Sequence, residues 1–187
     1  MEAILRREVI LNKQICRACA VGLTVTCITL GAFVRIPLPF TPVPLTLQTF
    51  FILLSAALLD RRLMLVSQSG YILLGILGLP VFTGAGSGPA YLLSPTAGYL
   101  FGFILASLFI GASLEEPGKG LSLPAVFCIA GAIILLTGSL WLKVSLGISL
   151  TQALLMGFAP FILGDCLKAL AAAGVYLGLR KRVKAIL

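Results

Sequence analysis

Apolar residues in this chain come in long runs, not in alternating patterns, and that limits the possible folds more than any other feature. Six runs approach the ~20 residues that cross a bilayer, for which about 17–25 is the usual range. They cover residues 18–34, 45–59, 63–81, 96–114, 121–142 and 151–179. The second is short unless the prolines before it extend the crossing. Hydrophobic residues make up 59% of the 187 and charged residues only 11%, against about 45–50% and about 25% in soluble domains. The surplus is surface for lipid. The expected fold is an all-α integral membrane protein, one six-transmembrane-helix bundle covering residues 1–187. A soluble enzyme, a disordered tail and a nucleic-acid module are excluded. The net charge of +8 does not reopen the last of these, because the basic residues sit at the ends of apolar runs.

The breaks between runs carry turn chemistry: Asp60-Arg61-Arg62, the Gly/Ser/Pro-rich residues 83–95, and Glu115-Glu116-Pro117-Gly118-Lys119-Gly120. Orientation follows from the cations. With the N-terminus inside, the inner side holds Arg6, Arg7, Lys13, Arg17, Arg61, Arg62, Lys119, Arg180, Lys181, Arg182 and Lys184, and the outer side only Arg35 and Lys143. This is a strong positive-inside bias and places both termini in the cytoplasm. The long basic head, with no small-x-small site closing the first run, argues against a cleaved signal peptide.

Chemistry is restricted as well. The chain has no histidine, which removes histidine metal sites and histidine bases. Five cysteines, most of them in or beside apolar stretches, read as small hydrophobes. No metal and no cofactor is expected. Asp165 is the only acid inside an apolar run, and Lys168 follows it by three residues, so the two share a helix face. Each isolated charge costs roughly 2.5–3.5 kcal/mol at the bilayer centre. The pair fits a packing staple, an ion or proton pathway, or a pocket for a small polar solute, and the pocket is our expectation.

Two loops face outward in this topology. Residues 36–44 contain four prolines, each fixing its own φ and extending its predecessor, so a stiff apolar lip is expected. Gln48, with a donor and an acceptor, follows at the start of the next run and suits a small polar ligand. The Gly84-Ala85-Gly86-Ser87-Gly88 loop lacks the strand, helix and lysine of a phosphate cradle and reads as a lid. Tyr91 and Tyr99 beyond it fit interfacial anchors and ligand contacts equally. Two stripes of small residues at helical spacing, Ala18/Gly22/Thr26 and Gly98/Gly102/Ala106, permit close helix approach, either within the bundle or onto another membrane subunit.

Residues 36–49, IPLPFTPVPLTLQT, resemble the signature of the BioY family, the biotin-specific substrate-binding subunits of energy-coupling factor (ECF) transporters. Residues 78–82 (GLPVF), 94–103 (SPTAGYLFGF) and 164–168 (GDCLK) are similar to further blocks of that family. The resemblance implies a six-helix bundle in the prokaryotic plasma membrane that captures biotin from outside. It also implies a complex with a transmembrane coupling subunit and two ATPase subunits. On that basis Asp165 accepts a ureido N–H and Lys168 donates to the ureido carbonyl or the carboxylate. Gln48, Tyr91 and Tyr99 complete the site, Arg35 meets the carboxylate, and Ala18, Gly22 and Thr26 form the docking face. No Walker motif occurs, so ATP use belongs to partners. Two alternatives stand: capture of another vitamin or related heterocycle, and an intramembrane lipid-modifying enzyme. The enzyme reading is opposed by the lack of histidine and by the single intramembrane acid.

Overall fold

The computed structural model describes residues 2–115 and 121–186, with side chains over 13–115, 121–183 and 185–186. The polar break at 116–120, and the side chains of Arg6, Arg7 and Lys184, lie outside the described residues.

Helix α1 (Glu2–Phe33) leads into a minimal hairpin of β1 (Arg35–Ile36) and β2 (Leu45–Thr46), paired antiparallel with Arg35 opposite Thr46. The proline-rich lip closes that hairpin. Helix α2 (Gln48–Leu58) follows, then α3 (Arg61–Ile76), a 3-10 turn at Pro89–Leu93, α4 (Ala97–Glu115) and α5 (Leu123–Leu146). The boundaries have local causes. Asp60 caps α3 by accepting from the Leu63 N–H at 2.8 Å. Gly147, at φ 66°, ends α5 in the left-handed conformation a side chain resists. Ser149 opens α6 (Leu150–Gly157) with a reciprocal capping box to Gln152.

The sixth apolar run is not one helix. It divides into α6, a short 3-10 turn at Ala159–Phe161, and α7 (Ile162–Ile186). Pro160 lacks an N–H and its ring obstructs the preceding carbonyl, so the helix breaks there. A new helix N-terminus therefore starts in the middle of a hydrophobic run. Irregular backbone at that depth is tolerated where it borders a cavity.

Among the described residues, four stretches are long and apolar enough to cross a membrane: Lys13–Phe33, Ala97–Glu115, Leu123–Leu146 and Leu150–Val183. Helix α2, at 11 residues, is a shorter apolar helix. Large apolar side chains face outward all round, among them Leu23, Leu73, Leu105, Leu140 and Leu163. This is the arrangement lipid favours.

The interior is knitted by close backbone approach. A Cβ on Gly102 of α4 would lie 2.9 Å from Ile134 Cα of α5, and one on Gly31 of α1 would lie 3.0 Å from the backbone of Gln48. Gly98 and Gly102 are buried against α5, and Ala106 is buried as well. That stripe serves packing within the bundle. Ala18, Gly22 and Thr26 are exposed, and a Cβ on Gly22 would meet nothing within 4 Å.

Candidate functional site

Four segments converge on one cavity at the lip end of the bundle. The lip and α2 contribute Val43, Pro44, Thr46, Gln48 and Thr49. The loop after α3 and the start of α4 contribute Thr83, Tyr91, Thr96, Tyr99, Leu100 and Phe103. Ile134 and Leu135 of α5 form the floor with Phe161, Asp165 and Lys168. The volume is about 50 Å³, far below the ~300–1,000 Å³ of an ordinary small-molecule site. The walls must part for a ligand the size of a fused bicycle with a tail.

Asp165 lies in the first turn of α7, where the free N–H groups and helix dipole favour a carboxylate. It is buried and forms an ion pair with Lys168. The Lys168 ammonium also donates to the Thr46 carbonyl of β2 at 2.9 Å. The pair therefore joins α7 to the lip hairpin and does not merely neutralise itself. Among the described residues no further hydrogen bond reaches Asp165 Oδ1, and a carboxylate has capacity for several donors. A second polar chain faces it. Gln48 Nε2 donates to the Tyr71 hydroxyl at 2.7 Å, Tyr71 donates to the Val81 carbonyl at 3.1 Å, and Thr83 Oγ1 donates to Gln48 Oε1 at 2.9 Å. Both ends of the Gln48 amide are thus occupied by protein.

The aromatic walls are held equally firmly. Tyr99 donates to the Gly157 carbonyl at 2.8 Å, just before the break between α6 and α7. Its ring lies over Gly138, where any side chain would collide with it. Tyr91 accepts from Thr96 Oγ1 at 3.0 Å and stacks on the buried Phe82 with centroids 4.5 Å apart. Both tyrosines are hydrogen-bonded to protein and line the cavity.

Arg35 is placed differently. It is exposed, absent from the cavity lining, and its guanidinium packs against Gly84 of the glycine loop. The glycine loop is tied down at its base, where Phe82 N–H donates to the Gly86 carbonyl at 3.1 Å and Gly88 N–H to the Gly75 carbonyl at 2.7 Å. Gly84, Ala85 and Gly88 adopt positive φ there, and Gly84, Ala85 and Ser87 are exposed.

Sequence reasoning did not single out Tyr71, Thr83, Thr96 or Phe161. Tyr71 carried a signal, since it follows Ser67 and Gln68 as a polar residue within an apolar run. Pro160 was a signal for the helix break. Among the described residues no group of three or more histidine, cysteine or acidic side chains is placed to hold a metal.

A BioY family model matches residues 7–185. The chain belongs to the BioY family. It is 37% identical to the biotin transporter BioY of Thermotoga maritima over 160 residues, 86% of this chain and 93% of that protein. It is 36% identical to the biotin transporter BioY2 of Lactococcus lactis over 154 residues, 79% of this chain and 84% of that one. Its fold is similar to a crystal structure of the S-component for biotin from an ECF-type ABC transporter, with a TM-score of 0.82 and 28% identity over 91% of this chain and 93% of that chain. Three of the four BioY-like sequence blocks, those at 36–49, 94–103 and 164–168, supply walls of the same cavity. The fourth, at 78–82, lies behind it through Val81 and Phe82.

Proposed function

We propose that this protein is the biotin-capturing subunit of a membrane uptake transporter and not an enzyme. The observation that carries this reading is the buried Asp165–Lys168 pair at an intramembrane helix start, facing a cavity built from BioY family blocks. Two apolar residues there would avoid the desolvation cost altogether, so a solute contact is the reason to keep the charges. Biotin offers two ureido N–H donors, one ureido carbonyl and a terminal carboxylate. Asp165 accepts a ureido N–H. Lys168 donates to the ureido carbonyl or to the carboxylate. Tyr91 and Tyr99 flank the sulfur ring, and Gln48 sets the position of the wall through Tyr71 and Thr83 or turns its amide to the solute once the cavity opens. Arg35, exposed beside the glycine loop, meets the carboxylate as it arrives.

Six crossings with both termini cytoplasmic fit the eleven-to-two distribution of basic residues. The crossings are α1, α2 with its lip, α3, α4, α5, and α6 with α7. The cell membrane is the location that follows. The exposed stripe of Ala18, Gly22 and Thr26 offers a docking face for a transmembrane coupling subunit, through which two ATPase subunits supply the energy.

Calorimetric titration of the purified, detergent-extracted chain tests the reading, together with the mass of any small molecule that copurifies. Saturable one-to-one binding of biotin is expected. No binding of biotin by a folded protein, or copurification of a different heterocycle, would replace biotin as the solute.

A further inference from the structure

Helix α1 exposes a broad arc with two sides. Ala18, Gly22 and Thr26 mark one. Roughly 140° around the helix, at 3.6 residues per turn, Ala20, Leu23 and Cys27 mark another. This second face closes a groove with Leu54 of α2 and with Leu179 and Val183 of α7. The groove has a volume of about 390 Å³ and an almost wholly hydrocarbon lining. From Cys16 to Cys27 it runs ~16 Å along α1, long and apolar as an acyl chain requires.

One end of it is basic. Lys13 lies three residues before the groove residue Cys16 and so on the same face. Arg17 adjoins Cys16, Arg180 adjoins Leu179, and Arg182 adjoins Val183. All four are exposed, and none has an ion-pair partner among the described residues. The acid nearest in sequence to the groove, Asp60 beside Leu59, is engaged in capping α3. An apolar channel ending in exposed cations complements a hydrocarbon chain joined to an anion. The small-residue stripe proposed for a protein partner lies on the other side of the exposed arc of α1.

We propose that the groove seats an acyl chain of an anionic phospholipid, with the headgroup phosphate held by Lys13, Arg17 and Arg182. The proposal rests on the chain lying in a membrane and not on which solute it captures.

Native mass spectrometry of the purified full-length protein tests it, with phosphatidylglycerol and phosphatidylcholine of identical acyl chains supplied equally. The wild type should retain phosphatidylglycerol over phosphatidylcholine by roughly tenfold or more. Combining Lys13→Gln, Arg17→Gln and Arg182→Gln should erase the preference. Ala20→Trp, which fills the groove, should lower retention of both lipids. Biotin titration on the same samples reports folding and should be unchanged, so failure of the lipid proposal is separable from failure of the solute reading. Equal retention of the two lipids by wild type overturns the proposal, as does an undiminished preference in the triple variant. Normal lipid retention by Ala20→Trp, with loss of coupling-subunit copurification, assigns the groove to a protein partner and also overturns it. Should Ala20→Trp not fold, the charge variant decides alone.

Discussion

Thr83 Oγ1 donates to Gln48 Oε1 at 2.9 Å, and this bond fastens the loop after α3 to the first turn of α2. It is a latch on the candidate cavity. Thr83→Val keeps the shape but leaves a buried amide oxygen without a donor, at a cost of about 1–3 kcal/mol. We expect a lower Tm, and weaker biotin binding because the wall is no longer held. An unchanged Tm and affinity would mean that the latch is replaced by water.

Asp165→Asn removes the charge that pairs with Lys168. Losing one charge-assisted hydrogen bond to solute costs about 1.5–3 kcal/mol, or roughly 10- to 150-fold in Kd. Lys168 left unpaired in the interior adds to this. Titration of a folded Asn variant is the measurement, and wild-type affinity would take Asp165 out of the site.

The two small-residue stripes predict opposite phenotypes. Gly22 faces open space, so Gly22→Leu should spare biotin binding but abolish copurification with a coupling subunit. Gly102 has Ile134 backbone within 2.9 Å of a Cβ, so Gly102→Leu should prevent folding. Normal assembly by Gly22→Leu would move the docking face elsewhere.

The cavity of about 50 Å³ is too small for biotin as it stands, so binding there requires part of its wall to move. The lip is stiffened by four prolines, whereas the glycine loop is hydrogen-bonded at its base and exposed at Gly84, Ala85 and Ser87. The expected moving part is the loop that carries Thr83 and Tyr91 in the wall, and Ser87 at its exposed tip can report on it. After replacement of the five native cysteines, Ser87→Cys should react quickly with a polar thiol reagent added outside, and biotin should slow the reaction. Equal rates with and without saturating biotin would count against a lid. Reaction only from the cytoplasmic side would reverse the topology.

The amino-acid sequence by itself determined the membrane class, the apolar segments and the proline-rich lip, and it singled out Gln48, Tyr91, Tyr99, Asp165 and Lys168, which share one cavity. Each follows from short-range physics: hydrophobic run length, proline geometry, and the cost of Asp165 and Lys168 in an apolar run. The resemblance of residues 36–49 to BioY proteins was equally legible. Only the tertiary structure decided which small stripe is internal, because Gly102 and Gly22 look alike in sequence and differ solely in what packs against them. It likewise decided that Tyr71 and Thr83 hold Gln48, and that Arg35 lies against the glycine loop outside the cavity. The split of the sixth run lies between the two. Pro160 announces the break locally, but that the break puts Asp165 at a helix start opposite Thr46 depends on how α7 packs against the lip. Such contacts, between residues more than a hundred positions apart, are set by side-chain packing across helices, which no local pattern encodes.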